Sequence, residues 1–284
     1  MVSLKSACCA ISALLLAESS AAQSRPGLSF DQTIQSVTFS PSGIDTSNTE
    51  THMTAAGGDA RVDVKRGKIA ENMGAFSPGA HPVMIMRDSG REMIFLNPDQ
   101  KQYFSIKPLE MMQGMQKMLE SMGGSMTVDT SVTRVSLDSL GPGPTIDGHP
   151  TLNYRLTTAL RMTMSMMGET NIVDNQSTQD FQTATDLGDF SDLTTGVNRF
   201  AELSQSAGFP KGFFDKVAAT NRKMRGFPLR SMMHSTFSAN GTKRTAVQTT
   251  ETKNIKRVAV PDSVFAIPGD YKPVAMPAMP GTGN

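Results

Sequence analysis

The chain has 284 residues, 38% of them hydrophobic, and a formal net charge of +1 from 27 basic and 26 acidic side chains. That balance excludes the one-signed surface on which nucleic-acid binding rests, and it supplies no general attraction to an anionic membrane. The hydrophobic share is low for a compact enzyme and suits a sheet with one wet face, in one large domain or two small ones.

Residues 1–22 read as a cleaved signal peptide. Lys5 supplies the positive start, Ala7 to Ala17 the apolar run, and Ser20-Ala21-Ala22 the small residues before the cut. The apolar run is too short to span a bilayer, so the protein is expected to be exported, periplasmic or extracellular, and not membrane-spanning. Both cysteines, Cys8 and Cys9, fall inside this segment. The mature chain is therefore expected to have no disulfide and to depend on its core alone.

Residues 23–32 read as a flexible leader. Ile34 to Ser40 is the first expected strand, ended by Pro41-Ser42-Gly43. Thr49 to Ala56 and Ala60 to Lys65 follow as a hairpin over Gly57-Gly58-Asp59. Lys68 to Met73 is expected to pair next. Pro82 to Arg87 and Glu92 to Leu96 form a second hairpin, apolar on both faces, so both sides of the sheet need a cover there. Gln102 to Ile106 is the next strand.

At Pro108 the period changes. Leu109, Met111, Met112, Met115, Met118, Leu119 and Met122 recur at spacings of three and four, which predicts an amphipathic helix that Gly123-Gly124 stops. Val128 to Leu140 returns to strand. Leu152 to Met167 is the longest alternating run. Leu152, Tyr154, Leu156, Leu160, Met162, Met164 and Met166 fall on one side, with Asn153, Arg155, Thr157, Arg161, Thr163 and Ser165 on the other.

Gly168 to Asn175 reads as a turn region and Thr178 to Leu187 as strand. Helices are expected from Asp189 to about Ala207 and from Lys211 to Lys223. Pro228 to Ala239 and Thr242 to Lys256 form a long hairpin over Asn240-Gly241. Asp262 to Phe265 is a short element, and residues 274–284 read as a disordered tail.

Four segments together resemble a family of exported bacterial proteins. Met93 to Ile106 matches its apolar strand, Pro-Asp turn and Lys-x-Tyr. Ile146-Asp147-Gly148-His149 with Tyr154 matches its I-x-G…Y segment. Gly226-Phe227-Pro228-Leu229 matches its G-x-P-L strand start. Val264 to Lys272 matches its closing F-x-x-P-x-G-Y-K, with Asp270 inserted. That family resembles the LolA-like lipoprotein-carrier superfamily. The resemblance covers most of residues 33–273 and implies a mainly β α+β fold: a curved antiparallel half-barrel sheet with helical lid elements, inserted near 108–123 and 190–223. It brings no catalytic residues.

The mature chain keeps 20 of its 21 methionines. Three readings stand for the Met-rich helix and strand: core packing, an adaptable lining for acyl chains, and thioether binding of Cu(I). His52, His81, His149 and His234 are isolated, without metal-ligand spacing, and read as surface or strand-edge residues. Asp186, Asp189 and Asp192 suit turns and caps rather than calcium. The basic residues Lys211, Lys216, Arg222, Lys223, Arg225 and Arg230 read as a solvated face that can meet headgroups or an acidic partner.

The sequence thus predicts an exported, non-enzymatic protein with no cofactor and no bound metal. It binds or carries a hydrophobic ligand, a lipid or lipoprotein acyl chain. The expected cavity lining is Met84, Met86, Phe95, Met115, Tyr154, Leu156, Leu160, Met162 and Met164. The alternatives are an envelope interaction or stress-sensor domain with a protein partner, and a Met-based Cu(I)-binding protein.

Overall fold

A computed structural model describes residues 24–67, 79, 81–121, 123–129, 131–166, 169–188, 213–239 and 241–275. The protein is mainly β, with strands joined side by side into one large open sheet. In chain order these are β1 (Ser24–Ser40), β2 (Gly43–Ala56), β3 (Asp59–Arg66), β4 (Val83–Arg87), β5 (Glu92–Asn97), β6 (Gln102–Ile106), β7 (Ser125–Val128), β8 (Arg134–Pro142), β9 (Thr151–Met166), β10 (Glu169–Ala184), β11 (Phe227–Ala239), β12 (Thr242–Pro261) and β13 (Lys272–Pro273). Two helices, α1 (Pro108–Ser121) and α2 (Phe213–Asn221), are also described.

The strands are ordered β13-β6-β5-β4-β3-β2-β1-β12-β11-β10-β9-β7, and β8 also pairs with β9. All pairs are antiparallel except β13 with β6. Most neighbours in space are neighbours in sequence, because tight hairpins connect them. The Gly57-Gly58 turn places both residues at positive φ, 57° and 91°, as a two-residue hairpin requires. A long return brings β12 back against β1, so the first long strand lies at the middle of the sheet.

Paired residues in an antiparallel ladder share a face, and residues alternate faces along a strand. The register therefore defines two faces. One carries Ile85, whose neighbours across the ladder are Arg61, Thr54 and Ser29. The other carries Met84, in the row Phe30, Met53, Val62, Met84, Phe95 and Phe104.

Each face has its own core. On the Ile85 face, Val83, Ile85, Ile94 and Leu96 pack with Val260 and with Phe265 of a 3-10 turn at Asp262–Phe265. Arg87 anchors that turn by donating from Nε and Nη2 to the Phe265 carbonyl at 3.0 and 2.7 Å. On the Met84 face, Leu28, Phe30, Ala184, Leu187, Phe227 and Leu229 form a second cluster. Its centre is an edge-to-face contact of Phe30 with Phe227, 5.2 Å between ring centroids. On the same face, four strands away, Phe95 stacks on Phe104 at 4.9 Å in a separate cluster.

The structure corrects four expectations. Residues 24–32 are part of β1 rather than a leader, because Leu28 and Phe30 are fully buried between β2 and β12. The strand expected over 128–140 is two strands, β7 and β8, that pair with different parts of β9. Glu169 to Asn175 continues β10 rather than turning, since each residue finds a partner on β9. At the start of the expected tail, the Val274 N–H still donates to the Tyr103 carbonyl at 2.8 Å. The expected strand at 68–73 and helix at 189–207 lie outside the described residues. Among those described, no helix is long and apolar enough to cross a membrane.

Candidate functional site

The two faces separate the residues expected to line a cavity from the cavity itself. Met84, Met86 and Phe95 lie on the Met84 face by register. Tyr154 belongs to the same face through the row Ile34, Thr250, Ser231, Phe181, Tyr154. Leu156, Leu160 and Met162 follow it by alternation along β9. Phe95, Tyr154 and Leu156 are buried, while Met84, Met86, Leu160 and Met162 are half-buried. The side chains of Met115 and Met164 lie outside the described set. Met232 and Met233 are adjacent on β11 and so project to opposite faces.

The cavity, of about 750 Å³, opens on the Ile85 face instead. It spans β8 to β12 and β1, close to where the β1–β2 and β11–β12 hairpins turn. A single row runs through it: Arg134, Ala159, Gln176, Thr236, Thr245, Phe39. The polar alternates of the long strand, Thr157 and Arg161, line it, and of the expected residues Leu160 borders it. The pattern that makes β9 half-buried therefore also makes this wall.

Charge is unevenly placed across the cavity. Arg134 and Arg161 stand at the β8–β9 side, with Phe39 and Val247 at the β12–β1 side. Arg161 is held by Asp174, Nε to Oδ1 at 2.6 Å and Nη2 to Oδ2 at 3.2 Å. That hydrogen bond, with the Asp174 charge and the more distant Asp129, keeps the guanidinium above its ordinary pKa. Arg134 forms no ion pair among the described residues, and His234 on β11 also enters the lining without a hydrogen-bond partner among them. Beyond the cavity the same face continues as ion pairs: Arg155 with Asp180 at 2.6 Å, and Arg230 with Glu251 at 2.7 Å. The Arg155 hydrogen bond holds the Asp180 carboxyl below its usual range.

A second constellation on this face went unseen in the sequence. Ser29 Oγ lies 3.2 Å from His52 Nε2, and His52 Nδ1 lies 2.8 Å from Asp31 Oδ1. The signal for it was present. A two-residue turn at Pro41-Ser42 pairs Ser40 with Gly43 and, followed back, sets His52 opposite Asp31. Reading residues 23–32 as a leader stopped the register short. Of the remaining histidines, His149 Nδ1 meets Asp186 Oδ2 at 2.7 Å, and His81 is exposed. Among the described residues no group of three or more His, Cys, Asp or Glu is placed to hold a metal ion.

No family model matches the chain, and no curated protein does. Among solved structures, one titled "Structure of PNGF-II in C2 space group" is similar over 86% of this chain at 8% identity, with a TM-score of 0.25. The chain spans 30% of that structure's own length. A likeness this weak carries no argument about fold or function. What the structure itself defines is a class: a mainly β protein built on one large open sheet, with apolar clusters on both faces and, on one of them, a cavity of mixed polar and apolar lining.

Proposed function

We propose that this is an exported binding protein that holds an amphipathic ligand, a lipid or an acyl chain with a polar head, in the cavity on the Ile85 face. The carrying observation is the cavity's asymmetry: cations at the β8–β9 side and Phe39 with Val247 at the other. Its volume falls within the range of small-molecule sites, about 300–1,000 Å³. Five strand spacings separate β8 from β1, about 24 Å at roughly 4.8 Å each, which matches an extended long acyl chain. In this reading the open sheet is a variant of the LolA-like half-barrel architecture, with α1 and α2 as lid elements, and the signal peptide delivers it to the periplasm or the exterior.

The apolar residues first expected to touch the ligand take a different part. Met84, Phe95, Tyr154 and Leu156 lie on the Met84 face, and on β9 the ligand meets Thr157 and Arg161, with Leu160 at its border. Native mass spectrometry of protein purified from the cell envelope tests the reading, with a dansyl-labelled fatty acid as the solution probe. Co-purified amphiphile and saturable probe binding that Thr236→Trp abolishes are expected. An empty protein that does not bind the probe removes the proposal.

A second reading is an interaction domain for an envelope protein. It is favoured by the exposure of Phe39, Ile44, Ile172 and Phe237 near the hairpin ends, Ile44 at 68%. Cross-linking from these positions in the envelope separates the two readings.

A further inference from the structure

Ser29, His52 and Asp31 are brought together by register alone. Ser29 and Asp31 occupy alternate positions on β1 and so share a face, and His52 on β2 is the direct partner of Asp31. The Asp31 carboxylate accepts the Nδ1–H of His52, which leaves Nε2 to accept from the Ser29 hydroxyl. The other carboxylate oxygen, Oδ2, accepts from Asn254 Nδ2 at 2.8 Å. Asn254 is itself fixed. It sits in the bulge that shifts the β1–β12 register between Ser29 and Asp31, at φ 56°, and its N–H donates to Asp147 Oδ2 at 3.2 Å.

This chain of contacts has a direction. The acid orients the imidazole, the imidazole faces the hydroxyl with its basic nitrogen, and a fourth residue orients the acid. That order is what nucleophilic catalysis by serine requires, whatever the fold. The surroundings fit the role. Lys256 is the β12 partner of Ser29 and carries a charge with no ion-pair partner among the described residues. On the β3 side, Asp63 opposes His52 but is occupied by Arg61, at 2.8 to 3.1 Å. Lys65 and Lys253 also flank the carboxylate, and Lys253 is paired with Glu251. His52 and Asp31 are 35% and 47% exposed, so the cluster is open to solutes rather than sealed.

We propose that Ser29, His52 and Asp31 form a hydrolytic site for small carboxylic esters. Ser29 Oγ attacks the ester carbonyl carbon while its proton passes to His52 Nε2. The tetrahedral adduct, its oxyanion beside the Lys256 ammonium, collapses and expels the alkoxide, which takes the proton from His52. Water then attacks the Ser29 ester with His52 as base, and the carboxylic acid leaves as Ser29 is restored. Ser29 and His52 are the catalytic residues. Asp31 and Asn254 are positioning residues that act through them.

The site is independent of the ligand cavity. Asp31 and Phe39 are eight residues apart on β1, about 27 Å at roughly 3.4 Å per residue. The two assignments therefore fail separately.

The test uses the full exported chain, a fluorophosphonate probe and p-nitrophenyl acetate, with circular dichroism to confirm that each variant folds. A single adduct at Ser29 by peptide mapping is expected, absent in Ser29→Ala and in urea-unfolded protein. Ester turnover is expected to fall about a hundredfold or more in Ser29→Ala and in His52→Gln. Asp31→Asn is expected to lower kcat and leave KM unchanged, which loss of a merely structural contact would not do. Absence of the Ser29 adduct in folded protein, or turnover in Ser29→Ala equal to that of the parent, overturns the proposal.

Discussion

Arg161 and Asp174 face each other across β9 and β10 at the wall of the cavity, with guanidinium Nε 2.6 Å from carboxylate Oδ1. Both side chains are more than a third exposed, so water screens the pair and its contribution to stability is small. Its consequence is local: Asp174 neutralises a cation that otherwise points at the cavity. Asp174→Asn is expected to tighten binding of the dansyl fatty acid severalfold, and Arg161→Ala to weaken it. Urea midpoints should stay unchanged in both. Equal affinity in all three proteins would show that no anionic head sits at this wall.

The core on the Met84 face makes a larger demand. Phe30 and Phe227 are both buried and in edge-to-face contact. Phe30→Ala leaves a cavity between β1, β2 and β11 and is expected to cost about 3–5 kcal/mol in urea unfolding. The same truncation at the exposed Phe237 is expected to cost far less.

The start of β1 bears on folding itself. A chain beginning at residue 33 lacks Leu28, Phe30 and the pairs that join β1 to both β2 and β12. It is expected to be recovered unfolded, by circular dichroism and proteolysis, whereas a chain beginning at residue 24 should fold.

Gly27 tests packing at the same place. A Cβ there would lie 2.7 Å from Val260 Cγ2 and 2.9 Å from Ala56 Cβ, and would also meet the Ala55 carbonyl oxygen. Gly27→Ala is expected to lower stability by about 1–3 kcal/mol through overpacking, read from the urea midpoint.

Acid sensitivity follows from carboxylates that their partners hold low, three of them on the long strands β1, β10 and β12. The His52 and Asn254 hydrogen bonds hold Asp31 below its ordinary pKa, the Arg155 hydrogen bond does so for Asp180, and the Lys253 hydrogen bond for Glu251. A carboxyl with a folded pKa below its unfolded value stabilises the fold at pH above the unfolded value. That stabilisation is lost as pH falls through the folded one. The urea midpoint should therefore be flat above about pH 5 and decline below about pH 4, the range of unperturbed carboxyls. In Asp31→Asn/Asp180→Asn/Glu251→Gln the decline should be shallower.

Much of the architecture was legible because it is written in local pattern. Alternation marks β9, the Gly57-Gly58 and Asn240-Gly241 turns mark two hairpins, and the shift to spacings of three and four marks α1. The mainly β fold follows from these alone. The leader misread at 23–32 has a physical cause: Arg25, Pro26 and Gly27 look like chain that cannot hold a strand. The burial of Leu28 and Phe30 between distant segments overrides that local preference.

Within each strand, residue order alone decides which side chains share a face, since they alternate with a period of two. Which face becomes a wall, and of what, was decided only by tertiary pairing. On β9 the apolar residues from Tyr154 to Met162 were the obvious candidates, yet the cavity lies on the side of Thr157 and Arg161. A one-strand pattern does not say where the neighbouring strands leave space. Ser29, Asp31, His52 and Asn254 make the same point across 225 residues of chain. The β1–β2 turn fixes the first three by counting, but Asn254 reaches Asp31 only because β12 returns to the centre of the sheet and bulges there.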